Sequence, residues 1–387
     1  MSLTIRPVQS SKDLHTFVTF PWKVYKDNSY WVPPLIRDEK KLLTPGKHPF
    51  YEHGAIQPYL AETADGSGRP KVVGRIAAIR NENHESFHEE AVGFFGFFEL
   101  LATPQLLSRE GVSGVTPQEI VNALIAAVRA WLAERSLPVF RGPVNPSTNE
   151  TCALLIDGFD DPPQIMMPYN LPEYAVLLEG SGLKKAKDLV AYTATTADVP
   201  ETLVKRATAA AERTGVIIRA LNKKDMRNEV KRVQKVYNSA WEKNWGFIPM
   251  TPAELDHMAD ELGQIAEPKL VCFAEKDGEP IGFGLGLPDF HQALRYANGR
   301  LLPFGLLKIL WHRRKINRAR VLALGVLAPY RRLGIDQLMY IWLWQNAKEI
   351  GIYNGEFSWI LEDNIPMRTA ADHLGSKVYK TYRIYEG

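Results

Sequence analysis

The sequence predicts an α/β chain of the α+β type: two tandem domains, each a mixed, mostly antiparallel sheet flanked by helices. Three observations predict it. At 387 residues the chain is longer than one hydrophobic core usually grows. Strand-like and helix-like patterns run through the first half, and the same order starts again near residue 215. The halves also end on a matching signature: Asn170-Leu171-Pro172, Gly182 and Tyr192 stand at spacings of 12 and 10, and Asn364-Ile365-Pro366, Gly375 and Tyr385 at 11 and 10. Internal duplication accounts for both echoes. The expected organisation is a first domain at residues 1–198, a linker helix at 199–214 and a second domain at 215–387.

In the first half, residues 3–8 read as a strand, and Ser10-Ser11-Lys12-Asp13 opens a helix because the hydroxyls can cap its first N–H groups. A loop rich in proline and aromatics covers 30–53. Strand patterns at 58–63 and 72–80 flank the turn Asp65-Gly66-Ser67-Gly68, and a third at 92–99 reads VGFFGFFE, together an antiparallel meander. Phe94, Phe95, Phe97 and Phe98 lack the basic surround of a base-stacking platform and read as sheet core. Thr116-Pro117-Gln118-Glu119 has the capping-box spacing with proline in the first turn. The helix it opens carries Ile120, Leu124, Ala127, Val128, Trp131 and Leu132 on one face and should end near Ser136, before a strand at 139–144.

In the second half, an alanine-rich helix at 200–213 precedes a strand at 216–221 and a helix at 225–241. Thr251-Pro252-Ala253-Glu254 repeats the capping pattern. Strands at 270–275 and 281–287 surround the turn Lys276-Asp277-Gly278-Glu279. The run RVLALGVL at 320–327 is apolar enough to be central in a sheet. A helix at 334–350, a strand at 355–361, a short helix and a last strand complete the chain.

Composition narrows the function classes. Lys plus Arg is 47 against 44 Asp plus Glu, a net charge of +3, so no DNA partner is expected. Cys152 and Cys272 lie far apart in apolar runs, which fits reduced thiols and a cytoplasmic protein without disulfides or a cysteine zinc site. No transmembrane segment is expected, because no run of about 18 uncharged apolar residues occurs. His84-Glu85-Ser86-Phe87-His88 matches a zinc-peptidase pattern, but it is wedged between two strands and reads as a polar hairpin loop, so no metal is expected. The basic stretch 306–320 reads as an amphipathic helix that either lies at a lipid surface or, the preferred reading, packs its apolar stripe on its own domain. Trp241, Trp245 and Phe247 could cover a substrate or simply pack.

One constellation carries chemistry. At the end of the central strand pattern stands Val326-Leu327-Ala328-Pro329-Tyr330-Arg331-Arg332-Leu333-Gly334-Ile335-Asp336. A glycine turn into a helix offers unpaired N–H groups and the positive end of the helix dipole, a ready cradle for a pyrophosphate. This resembles the acyl-CoA-binding motif of the GCN5-related N-acetyltransferase (GNAT) superfamily, Arg/Gln-x-x-Gly-x-Gly/Ala, with Arg331 and Gly334 in the first two defining places and Asp336 where the last small residue belongs. The resemblance implies an acyl-CoA, acetyl-CoA or longer, as co-substrate. It would be held by Val326, Leu327, Arg331, Arg332, Leu333, Gly334, Ile335 and Asp336, and a small-molecule or peptide amine would accept the acyl group. In many members a tyrosine four residues before the glycine ending the next helix donates a proton to the thiolate; that place here is Ala371. Glu362, Asn364 and Tyr379 are the remaining candidates for catalytic work. The first half keeps the element order without the motif. Two further readings stay open on the same fold: a non-catalytic ligand-binding protein, and a transferase that takes its acyl or aminoacyl group from a carrier protein or tRNA.

Overall fold

The computed structural model describes residues 3–195, 201–242 and 244–387. Residues 199–200, where the linker helix is expected to begin, lie outside the described residues. The chain forms two compact units, the first comprising Met1–Asp188, Ala297–Leu306 and Tyr382–Gly387, the second Leu189–Tyr296 and Leu307–Thr381.

The first unit contains β1 (Thr4–Pro7), α1 (Ser11–Thr19), α2 (Pro21–Val24), α3 (Ile36–Leu42), β2 (Gly54–Ala64), β3 (Pro70–Asn81), α4 (Glu82–His88), β4 (Val92–Leu100), α5 (Pro104–Arg109) and α6 (Pro117–Ala133). It continues with β5 (Val139–Gly142), a short hairpin of β6 (Val144–Asn145) and β7 (Thr151–Cys152), then β8 (Leu154–Asp157) and α7 (Glu173–Gly180). Strands β1 to β4 pair antiparallel in order, and β5 joins β4 in parallel. The capping signals operate as chemistry requires: Thr116 accepts from the Glu119 amide while Glu119 accepts from the Thr116 amide. Helix α6 then buries Ile120, Leu124, Val128 and Leu132 against β3, where Gly74 leaves room that a Cβ would close to 3.0 Å from Ile120. The four phenylalanines of β4 are buried core.

Two expectations fail in this unit. The loop at 30–53 contains helix α3 and a 3-10 turn at Pro49–Glu52. The His84–His88 stretch is helical, as α4, because Asn81 caps it through the His84 amide. His84 is buried with Nε2 3.0 Å from a Glu90 oxygen, and burial lowers its pKa to about 4. A short helix holding a neutral imidazole against a carboxylate is a packing device. Among the described residues no cluster of three or more His, Cys, Asp or Glu is arranged to hold a metal ion.

The second unit opens with the end of β9 (Lys184–Thr195), followed by α8 (Glu201–Thr214), β10 (Ile217–Ala220), α9 (Met226–Trp241), α10 (Pro252–Gly263), β11 (Val271–Lys276) and β12 (Glu279–Pro288). Then come α11 (His291–Leu294), α12 (Gly305–His312, whose first two residues belong to the first unit), β13 (Arg318–Val326), α13 (Ile335–Glu349), β14 (Asn354–Leu361), α14 (Ile365–His373) and β15 (Lys377–Glu386). Strands β10 to β13 pair antiparallel in order, β14 joins β13 in parallel, and β9 lies antiparallel beside β14. The ladder therefore repeats that of the first unit strand for strand. In that first sheet the place beside β5 is taken by the last residues of β15, Tyr385 opposite Gly142. Each sheet thus finishes with a strand from the other half of the sequence. Tyr192 and Tyr385, the last members of the repeated signature, are both buried, and Gly182 and Gly375 both have positive φ.

The basic stretch also departs from its expected form. Helix α12 stops at His312, a 3-10 turn covers Arg313–Lys315, and Arg318–Arg320 already belong to β13. Ile309 is buried, but Leu306, Leu307, Leu310 and Trp311 are exposed, so the apolar stripe is not packed on its own domain. No described helix is long and apolar enough to cross a membrane.

A buried carboxyl gives the first unit a pH dependence. Glu99 accepts hydrogen bonds from Tyr25 and Tyr174, each at 2.7 Å. Burial nonetheless raises its pKa to about 7, against a smaller pull downward from Arg75. A carboxyl with a raised folded pKa stabilises the fold below its unfolded pKa and loses that contribution as pH rises through the folded value. Between pH 5 and pH 8 the native protein should therefore lose stability relative to Glu99→Gln, by at most about 3 kcal/mol. Thermal unfolding of both proteins across that range checks this; parallel curves would contradict it.

Candidate functional site

The second unit's sheet is forked. Strands β13 and β14 pair from Arg318 opposite Asn354 to Val321 opposite Phe357, and there the parallel ladder ends. Beyond it β13 stays with β12 as far as Val326, while Ile360 and Leu361 of β14 stay with β9. Leu322, Ala323, Leu324 and Gly325 are accordingly only half-buried, although they form an apolar run in a central strand. Such exposure is what an unpaired inner edge produces, and it leaves an apolar slot between two diverging backbones.

A buried polar cluster sits at the apex. The Arg320 Nε donates to Ser358 Oγ at 2.7 Å, and its Nη2 donates to the Ser358 carbonyl at 3.1 Å. The same guanidinium lies 3.6 Å from a Glu356 oxygen. Ser358 and Tyr379 both donate their hydroxyl protons to the Glu356 carboxylate. Arg320, Glu356 and Ser358 are all buried. Charges taken out of water are tolerated only when paired and hydrogen-bonded, which this cluster achieves across three strands. Sequence reasoning passed over Arg320, Glu356 and Ser358 as site residues. The available signal was a charged side chain on β13 and another on β14 within otherwise apolar strand patterns.

The slot opens toward the amino end of α13. Gly334 is the residue before the helix, with φ +82°, and no side chain caps the N–H groups that follow. Leu333 offers its carbonyl to Arg213 at 3.1 Å, which ties the turn to α8. Arg331 is committed to the scaffold: its Nε donates to the Val326 carbonyl and its Nη2 to the Ala240 carbonyl, each at 3.0 Å. Arg332 is exposed beside it, with φ +63°. Val326 is buried at the strand end, Leu327 precedes a 3-10 turn at Ala328–Tyr330, and Ile335 is buried in the core beneath the helix. Asp336 caps nothing; with burial, its charge holds the Tyr340 phenol one turn on above its ordinary pKa. The donors at the helix end are therefore left to the solvent side.

The other candidates separate. Tyr379 reaches the apex cluster. Asn364 caps α14 by accepting from the Met367 amide at 3.3 Å, and the Glu362 carbonyl accepts from Arg368 at 2.8 Å, so both stand at the carboxyl end of β14. Trp241 stacks on Tyr237 with centroids 5.0 Å apart and lies so close over β13 that a Cβ on Gly325 would come within 2.4 Å of its ring. Phe247, buried, packs on the same tyrosine.

A forked sheet with a glycine-opened helix at one prong, present in a duplicated ladder, is the architecture of tandem GNAT proteins. The fold matches a tandem GNAT protein from the clavulanic acid biosynthesis pathway with a TM-score of 0.57 at 11% identity, over 100% of this chain and 98% of that one. No family model matches the sequence. Whole-chain relatives are nevertheless clear. The bacterial ceramide synthase of Caulobacter vibrioides is 33% identical over 393 residues, spanning 99% of this chain and 97% of its own length. Protein YghO of Escherichia coli is 31% identical over 388 residues, spanning 99% and 94%. The chain has the tandem GNAT fold and belongs to the family of these two proteins.

The turn makes a stability prediction. A Cβ at residue 334 would sit 3.0 Å from that of Ala210 and would have to adopt a left-handed backbone. Gly334→Ala should destabilise the protein by about 1–2 kcal/mol. Chemical denaturation measures it, and an unchanged midpoint would mean that the turn relaxes freely.

Proposed function

We propose that this protein is an acyl-CoA-dependent N-acyltransferase whose acceptor is a long-chain amino alcohol, giving an amide of the ceramide type. The observation that carries the reading is the 33% identity to a bacterial ceramide synthase across essentially both chains. The site is compatible with it. The free N–H groups after Gly334, with Arg332 beside them, suit a pyrophosphate, and the slot between β13 and β14 suits a pantetheine arm that continues strand-like pairing. The half-exposed side chains of Leu322 and Leu324 suit an acyl chain better than a polar substrate.

The bound co-substrate supplies an activated thioester carbonyl. This chain's residues must hold it, exclude water and move one proton. The amine attacks only as a free base, so a proton has to leave its nitrogen as the C–N bond forms and the C–S bond breaks. In this reading Tyr379 relays that proton: its oxygen accepts from the amine as its own hydrogen passes to Glu356, which Ser358 and Arg320 hold in place. The thiolate leaves with the CoA. Ala371 then needs no replacement at its own position, because the proton is handled at the apex of the fork.

Incubation with sphinganine and a saturated long-chain acyl-CoA should yield the amide, read by mass spectrometry. Tyr379→Phe should lower kcat by about 100-fold with little change in KM for acyl-CoA. Arg332→Glu should raise that KM about five- to tenfold at unchanged kcat, since it reverses one exposed charge near the phosphates. Absence of amide with acyl-CoAs of every length would remove the acyl-CoA reading.

A further inference from the structure

We propose that α12 and the turn after it form a docking element for the surface of a lipid bilayer containing anionic lipids. The proposal stands on a surface feature and does not depend on the reaction assigned above. Helix α12 is apolar on two sides. Gly305 and Ile309, one turn apart, face inward and are buried. Leu306, Leu307, Leu310 and Trp311 occupy the opposite arc, where positions three and four apart fall together, and they are 43–66% exposed. The residues leading into the helix extend the feature: Leu302 is 79% and Phe304 65% exposed. Six large apolar side chains thus meet solvent within ten consecutive residues. Scattered exposed leucines need no explanation, but a concentration of this kind does.

The segment is held in this pose by ordinary structure. The Leu306 amide donates to the Leu301 carbonyl at 2.8 Å, and Gly305 lies so close to the Arg300 carbonyl that a Cβ would come within 1.7 Å of it. At the other end His312 stacks on Tyr296, centroids 3.5 Å apart. The fold thus orders an outward apolar helix face that no described part of the chain covers.

Charge selects the occupant. Lys308, Arg313, Arg314 and Lys315 are exposed within and just after the helix. The stretch from residue 290 to 335 contains ten Lys or Arg and not one Asp or Glu, in a chain whose overall charge is only +3. Apolar side chains with a tryptophan, in a sequence segment that carries cations and no carboxylate, match the two layers of a membrane surface: acyl chains below and anionic headgroups above. An acidic protein partner would satisfy the cations but would leave Leu302, Phe304 and Leu307 without hydrocarbon to enter.

The test is sedimentation of the full chain with vesicles of phosphatidylcholine alone and with an added share of phosphatidylglycerol. The native protein should bind the anionic vesicles at least tenfold more tightly than the neutral ones, with affinity falling as salt rises. Leu307→Glu with Trp311→Glu should abolish binding to both, and Arg313→Glu with Arg314→Glu should remove the preference for anionic lipid. All four side chains are exposed, so circular dichroism should report unchanged folds. Undiminished binding by the Leu307→Glu, Trp311→Glu protein, or no binding of the native protein to either vesicle, would overturn the proposal. Binding to an acidic carrier protein in place of vesicles would likewise overturn it.

Discussion

The second unit is organised around one interrupted set of hydrogen bonds, the parallel pairing of β13 with β14 that ends at Val321 and Phe357. An unpaired inner strand edge is costly unless water or a ligand satisfies it, and the apolar side chains along it cannot be fully covered by the protein itself. The structure sustains the interruption by fixing its apex. Arg320 reaches from one prong to Ser358 on the other, and Glu356 closes the network with Tyr379. Remove the carboxylate and the buried Arg320 loses a neighbouring counter-charge, a kind of loss that generally costs several kcal/mol. The fork is therefore an arrangement that a buried ionic network keeps open.

The first unit shows the same ladder with the fork filled. Its parallel pair, β4 and β5, runs from Val92 opposite Val139 to Phe94 opposite Arg141 and then parts in the same way. Here the chain itself enters. Asn145 accepts from the Phe97 amide at 2.7 Å, and the Val144 carbonyl lies so near Gly96 that a Cβ there would be 1.7 Å away. The helix ends differ correspondingly. Helix α6 begins with Thr116 and Glu119, which occupy its first donors, whereas α13 begins with a glycine that occupies none. The first ladder thus has both features closed by its own residues and the second has both open. That contrast supports the proposed placing of the site in the second unit alongside the phosphate-turn sequence.

Much of the fold was legible because local signals and tertiary demands agreed. Thr116-Pro117-Gln118-Glu119 and Thr251-Pro252-Ala253-Glu254 each became the capping box that their spacing requires, and RVLALGVL became an inner strand. The failures have identifiable causes. The short α4 escapes the sequence pattern because seven residues between two strands give almost no periodic signal, and one Asn81 cap decides the outcome. The apolar stripe of α12 faces outward against expectation because periodicity tells which residues share a face and not which way that face turns. At the site, the glycine turn was legible from its residue types. The apex cluster was not, since Arg320, Glu356 and Tyr379 are separated by 36 and 23 positions and only strand register unites them.

Chain order links the apex to the exposed helix. Residues 313–315 end the cationic turn, and Arg320, the first member of the apex cluster, follows Lys315 by five residues. Extended backbone advances about 3.3–3.6 Å per residue, so the two are at most about 18 Å apart. That is within the reach of a long alkyl chain, which is roughly the half-thickness of a bilayer's hydrocarbon core. Under the proposed reaction, a long-tailed amine with its head at the apex would have a tail long enough to reach the cationic turn that follows α12. An enzyme working on a freely soluble amine would gain nothing from such an arrangement. The short distance along the chain is thus a physical reason for the exposed leucines and Arg320, the first member of the buried cluster, to occur in one sequence segment.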